Sequence, residues 1–118
     1  MKTRLLTIFV LMQSPMAEAA FFMDATALQG LLVDFEAYQE KREIRYMAKA
    51  SQFIGYVTGV ADALDGRQFC LPGGVDGEQT SLWVAEHLRL HARTLPRHAT
   101  DAVTDALKEK YPCRQPAQ

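Results

Sequence analysis

The sequence predicts a small all-α protein: a four-helix bundle, with room for one extra short helix, stapled by a single disulfide. Three observations carry this expectation. Apolar residues recur at three- and four-residue steps in four separate segments, the period of a helix that buries one face. No segment shows the strict alternation of apolar and polar residues that marks a half-buried strand. Two cysteines, Cys70 and Cys113, remain in a chain that begins like an exported one, and an even cysteine count in that setting reads as a disulfide.

The first of the 118 residues stand apart from the bundle. Lys2 and Arg4 give a basic start, Leu5 to Met12 form an apolar run, Ser14-Pro15 break it, and Ala17-Glu18-Ala19 supply a small-x-small cleavage pattern. Charge, apolar core, breaker and small residues stand in the order of a secretory signal, so residues 1–19 are expected to be removed near Ala19 and the product to be exported. The apolar run is far shorter than the roughly 20 residues of a membrane-spanning helix, so no stable anchor is expected after cleavage. No cysteine follows the small residues, which leaves a lipoprotein without support. Residues 20–118 then form one helical domain, a natural size for a single modest core.

Removing Lys2, Arg4 and Glu18 from 13 basic and 14 acidic residues leaves a formal charge of −2. Nucleic acid binding needs a concentrated basic face. The one adjacent basic pair beyond the signal, Lys41-Arg42, is flanked by Glu40 and Glu43 and reads as solvated helix surface. No nucleic acid partner is expected.

The first helix is expected over Asp24–Glu40, with Asp24 as N-cap and Thr26 as competitor. Leu28, Leu31, Leu32, Phe35 and Tyr38 or Gln39 share its apolar face. The second is expected over Ile44–Leu64. Its stretch from Phe53 to Ala61 is apolar nearly all round, as in a central helix covered on several sides. Gly55 and Gly59 share a face one turn apart, and the expectation for a short helix of this kind is close internal packing against another helix. Asp62 near its end must reach solvent or be paired, because an unpaired buried carboxylate is costly. Asp65-Gly66 stop the helix, and Gly66, Pro72, Gly73, Gly74 and Gly77 make the following stretch a loop. The third helix starts after Asp76, which has capping-box spacing to Gln79, and fades near His91. Leu82, Ala85 and Leu88 form its stripe, with Trp83 and His87 beside it. The fourth is expected over Pro96–Tyr111, with Pro96 in its first turn and a stripe of Ala99, Val103, Ala106, Leu107 and Tyr111. Pro112 ends it just before Cys113. A Cys70–Cys113 bridge would tie the loop before helix three to the end of helix four. Closing a loop of about forty residues stabilises by about 4 kcal/mol in the chain-entropy model, less any native strain. The polar tail from Arg114 to Gln118 is expected to fray.

Chemistry is sparse. No phosphate loop, dinucleotide fingerprint, zinc-protease or serine-hydrolase signature occurs. His87 and His91, four apart on one helix, could form a Cys2His2 zinc site with Cys70 and Cys113, but in an exported chain those thiols oxidise. A Cys–His nucleophile pair needs a free thiol and leaves the other cysteine over. The bland alternative for the histidines is a solvated or cap-forming pair near a helix end, where a cation is favoured. The acidic pairs Asp62/Asp65 and Glu36/Glu40 have ordinary surface spacing and carry no sign of an acid–base couple. No catalytic residue, cofactor or metal is expected. The residues describe a stapled helical module that binds something.

The second half resembles a known family. Gly55-Tyr56-Val57-Thr58-Gly59-Val60-Ala61-Asp62-Ala63-Leu64, Phe69-Cys70-Leu71-Pro72, Gly74-Val75, Gln79, Val84, Leu88, Ala106-Leu107 and Tyr111-Pro112-Cys113 follow the order of motifs in the Rap/Tai family. These are small periplasmic immunity proteins that protect bacteria against type VI secreted peptidoglycan amidases. The resemblance covers about residues 52–113, and the first helix fits loosely through Leu31-Leu32. It departs from the family at a second cysteine pair that members often carry, whose places Phe35 and Phe53 occupy here. Two phenyl rings can fill the same helix–helix contact by packing.

The resemblance implies a periplasmic, non-enzymatic inhibitor, a homodimer, that plugs the groove of an incoming amidase. The candidate protruding part is the loop Gly73–Gln79, with Gly74, Asp76, Glu78 and Gln79 as contact residues; the competing reading is a plain connector with a helix cap. Trp83 is a second candidate as interface anchor, against the commoner fate of a lone Trp in a core. Gly55, Tyr56, Gly59 and Asp62 are the structural motif. A non-enzymatic structural or chaperone subunit of a secretion system is the alternative function, distinguished by a resident envelope partner in place of a dedicated toxin.

Overall fold

A computed structural model describes residues 22–114, and the signal segment 1–19 and most of the polar tail lie outside the described residues. The described chain folds into four α-helices: α1 (Ala25–Lys41), α2 (Met47–Leu64), α3 (Gly77–Leu90) and α4 (Ala99–Lys110), with a single 3-10 turn at Ile44–Tyr46. No strand occurs among these residues, only two isolated bridges, Asp24 to His98 and Asp65 to Phe69. Cys70 and Cys113 form the disulfide, 43 residues apart in sequence.

Each helix begins and ends for local reasons. Asp24 caps α1 by accepting from the Ala27 N–H at 2.7 Å. Arg42 closes α1 in the left-handed region, φ 55°, and its N–H donates to the Tyr38 carbonyl at 2.9 Å. Three residues expected at the start of the second helix, Ile44 to Tyr46, instead form the tighter 3-10 turn that feeds α2. Asp76 caps α3 by accepting from the Gln79 N–H at 2.7 Å, which is half of the expected capping box.

The fourth helix starts later than the sequence suggests, because its entry is already paired. Ala25 N–H donates to the Arg97 carbonyl at 2.9 Å, and Ala99 N–H donates to the Met23 carbonyl at 3.2 Å. That short antiparallel contact keeps His98 extended and ties the starts of α1 and α4 together. Pro96 therefore precedes the cap and does not enter the first turn.

The core is built from Leu28, Leu32 and Phe35 of α1, Phe53, Val57 and Val60 of α2, Val84 and Leu88 of α3, and Ala99, Val103, Ala106 and Leu107 of α4. The stripe of α3 keeps Ala85 and Leu88 as expected and departs at Leu82. Ser81, Val84, Ala85 and Leu88 are buried while Leu82 is exposed. Ser81 tolerates full burial because its hydroxyl donates to the Gly77 carbonyl at 2.7 Å. Helix α2 packs against α1, α3 and α4, yet one of its faces stays open. A Cβ at Gly55 or Gly59 would meet nothing within 4 Å, so the close internal packing expected there does not occur. Instead Gly55, Gly59, Ala63 and Leu64 line an apolar groove with Tyr56 and Thr100. The close helix approach lies at Gly77, where a Cβ would stand 2.7 Å from Thr58 Cγ2.

Candidate functional site

The segment between α2 and α3 is a loop held rigidly at both ends. The C-cap of α2 is Asp65, whose N–H donates to the Ala61 carbonyl at 2.9 Å. Its carboxylate reaches forward and accepts from the Leu71 N–H at 2.9 Å. Gly66, at φ +80°, makes the left-handed turn that a side chain would strain, and its N–H donates to the Phe69 carbonyl at 2.8 Å. Phe69 is fully buried and pegs the loop into the core.

The next residue is fixed twice. Cys70 N–H donates to the Tyr111 carbonyl at 2.8 Å, and its sulfur is bonded to Cys113. The disulfide leaves no free thiol, so the Cys2His2 zinc arrangement and the Cys–His nucleophile are both ruled out. Pro72, Gly73 and Gly74 form the exposed tip, with Gly74 at φ +83°. Val75 and Asp76 return the chain to α3.

The candidate residues fall into three groups. Gly74, Asp76, Glu78 and Gln79 lie on the loop and the first turn of α3, at the surface. Asp62 is exposed and lines with Asp76, Leu71, Val75, Gly77 and Thr80 a small crevice of about 110 Å³ beside the loop. Asp62 thus reaches solvent, and with Asp76 and Glu78 it gives this end of the molecule an acidic face. Gly55, Tyr56 and Gly59 lie on the open groove, where the Tyr56 hydroxyl is 2.8 Å from the Thr100 hydroxyl.

Trp83 does not join the loop. It is half-buried between α3 and α4, its indole N–H donates to the Ala106 carbonyl at 3.0 Å, and Lys110 lies 4.5 Å above the ring. Its contacts are those of a clip between two helices. Of the two histidines, His91 matches the solvated, cap-forming expectation: it is exposed and its Nδ1 donates to the His87 carbonyl at 2.9 Å at the helix end, whereas His87 departs from it, being buried with its Nδ1 2.9 Å from Glu109.

Sequence reasoning missed Gly77, Asp65 and Phe69 as the parts that set the loop. Phe69 and Asp65 gave a usable signal, a lone aromatic and a helix-stop acid flanking Cys70 among turn residues. Gly77 gave none, because the methyl it avoids belongs to Thr58, on a different helix.

The four helices, the loop between α2 and α3 and both cysteines lie within the stretch 25–113 that matches the family description "Rap1a immunity proteins". The chain belongs to that family. The match takes in α1, which the motifs of the second half reached only loosely. Nothing among curated proteins or solved structures matches the chain. Membership of the family implies binding of a cognate toxin effector. Among the described residues, no helix is long and apolar enough to cross a membrane.

Proposed function

We propose that this chain is a periplasmic immunity protein that binds a type VI secreted peptidoglycan amidase and blocks its substrate groove, protecting the producing cell and its sisters. The observation that carries the mechanism is the tethered loop. An exposed tip anchored by a buried phenyl ring, a carboxylate cap and a disulfide can enter a cleft without a large ordering cost. Family membership supports the immunity role, and the export pattern of residues 1–19 supports a periplasmic site of action. Inhibition of this kind is steric and uses no catalysis. The family resemblance also favours a homodimer, which sedimentation equilibrium of the mature protein measures directly.

The deciding experiment is protection. The product of the neighbouring gene is sent to the periplasm of a host, with and without this protein, and lysis is followed. Relief from lysis is the expected outcome; a toxic neighbour unaffected by this protein removes cognate immunity against that toxin. The role of the loop is read separately with Asp76→Asn and Glu78→Gln. The asparagine side chain retains a capping oxygen, so charge is lost while the helix start is kept. Toxin affinity should fall at least about tenfold in the double variant, the loss of about 1.4 kcal/mol of binding. Unchanged affinity excludes the loop carboxylates from the interface.

A further inference from the structure

The corner between α1 and α2 carries chemistry that the immunity reading does not use. Residues 40–49 hold four cations, Lys41, Arg42, Arg45 and Lys49, against the two carboxylates of Glu40 and Glu43, and all six side chains are exposed. The segment is thus locally positive in a protein whose formal charge beyond residue 19 is negative. Two large apolar side chains stand among the cations. Ile44 is 83 % exposed and Met47 41 % exposed, so neither contributes its full apolar surface to the core.

The fold presents these groups on a fixed frame. Arg42 closes α1 at φ 55°, in a left-handed position that glycine usually fills. The 3-10 turn then places Ile44 on the connection between the two helices, and Met47 opens α2. Two tyrosine rings hold the cations beside them. The Lys41 ammonium lies 5.6 Å and the Arg45 guanidinium 4.6 Å from the centre of the Tyr46 ring, and the Arg42 guanidinium lies 5.4 Å from the centre of the Tyr38 ring. Arg45 also pairs with Glu43 at 2.7 Å, which leaves Lys41, Arg42 and Lys49 against Glu40 alone.

A soluble polyanion would satisfy the cations and offer nothing to Ile44 or Met47, whose gain comes only from leaving water for an apolar phase. An anionic bilayer offers both: phosphate headgroups for the cations, an acyl boundary for the aliphatic side chains, and between them the level at which tyrosine rings settle. We infer that the α1–α2 corner docks the protein reversibly on a bilayer surface rich in anionic phospholipid, with Ile44 and Met47 entering the headgroup–acyl boundary and Lys41, Arg42 and Lys49 holding the phosphates. The contact is peripheral, as no helix among the described residues is long and apolar enough to cross a membrane. Helix α2 starts at this corner and ends at the tethered loop, 18 residues or about 27 Å away. Lipid contact at the corner therefore leaves Asp76 and Glu78 uncovered. That consequence rests on the proposed immunity role; the docking itself does not.

The test is co-sedimentation of untagged mature protein with vesicles of phosphatidylcholine alone or of equal parts phosphatidylcholine and phosphatidylglycerol. Partition onto the anionic vesicles should be at least about tenfold stronger, and should fall when salt is raised from about 0.1 M to about 1 M, which shortens the screening length from about 10 Å to about 3 Å. Each lysine near an anionic surface strengthens attachment about fivefold, so Lys41→Gln with Lys49→Gln should weaken it at least about tenfold. The same loss of charge at the exposed Arg67→Gln with Lys108→Gln should change it less than about twofold. Ile44→Ser should weaken it at least about fivefold. Ile44→Trp should add a tryptophan emission that shifts to the blue on anionic vesicles, read against wild type with Trp83 alone, a gain of signal that a misfolded variant would not mimic. The inference is overturned by equal partition onto the two vesicle types, by an equal loss in the Arg67/Lys108 pair, by an unshifted emission from Ile44→Trp, or by wild-type partition of Ile44→Ser, which would assign the corner to soluble polyanions instead.

Discussion

Phe35 of α1 and Phe53 of α2 meet with ring centroids 4.8 Å apart and planes tilted by 32°, both fully buried. These are the places where the resemblance to the Rap/Tai family leads one to expect a second cysteine pair. The two positions do face each other across the helix pair, and here the contact is made by packing. Truncating either ring should cost about 3–5 kcal/mol. A double-mutant cycle with Phe35→Ala and Phe53→Ala should show a coupling of about 0.5–1.5 kcal/mol beyond area burial. Urea unfolding of the four proteins measures it, and strict additivity would mean that the rings do not support each other.

Gly77 opens α3 directly against α2. A Cβ there would lie 2.7 Å from Thr58 Cγ2, while the Thr58 hydroxyl is held by the Ile54 carbonyl at 2.8 Å, so the methyl cannot swing away freely. Gly77→Ala should therefore destabilise by about 1–3 kcal/mol. Thr58→Ser removes the offending methyl and keeps the hydroxyl, so in the double variant most of the loss should return. A Gly77→Ala penalty that persists in the Thr58→Ser background would show that the clash is not its cause.

Much of this architecture was legible because helical period, caps and stops are local. Asp24 and Asp76 announced the starts of α1 and α3 by residue type and spacing, and an even cysteine count announced the staple. What sequence spacing could not supply is which face of a helix finds a neighbour. Gly55 and Gly59 looked like a close-packing pair, but only tertiary placement decides whether a partner helix lies there, and none does among the described residues. Trp83 and Leu82 were likewise assigned by period alone. Ala85 and Leu88 are buried as the period predicts, but Ser81 and Val84 complete the buried face, which leaves Leu82 outside and the Trp83 indole turned toward the Ala106 carbonyl. At the loop, composition showed a turn region, whereas its rigidity comes from Asp65, Phe69 and Tyr111 acting across the chain.

The open glycine face makes a prediction opposite in sign to Gly77. Glycine inside a helix costs about 0.5–1 kcal/mol relative to alanine. With nothing within 4 Å of a Cβ at Gly55 or Gly59, alanine at either site gains that amount without a clash. Thermal unfolding of Gly55→Ala and Gly59→Ala should show midpoints raised by about 2–8 °C each, given about 4–8 °C per kcal/mol for a domain of this size. A lowered midpoint would reveal a contact on this face in solution.

The Cys70–Cys113 bond closes 43 residues, which include all of α3 and α4. In the chain-entropy model its removal destabilises by about 4 kcal/mol, because the unfolded chain regains the freedom that the cross-link denied it. Cys70→Ser with Cys113→Ser should therefore lower the unfolding midpoint by about 15–30 °C. The loop should respond before the bundle does. Phe69 still pegs it and the Cys70→Ser N–H can still reach the Tyr111 carbonyl, but the tip at Pro72–Gly74 loses its covalent anchor. Limited proteolysis below the unfolding transition should cut the serine variant first between positions 70 and 76. Cleavage elsewhere, with this segment intact, would mean that burial of Phe69 alone holds the loop and that the disulfide acts on global stability only.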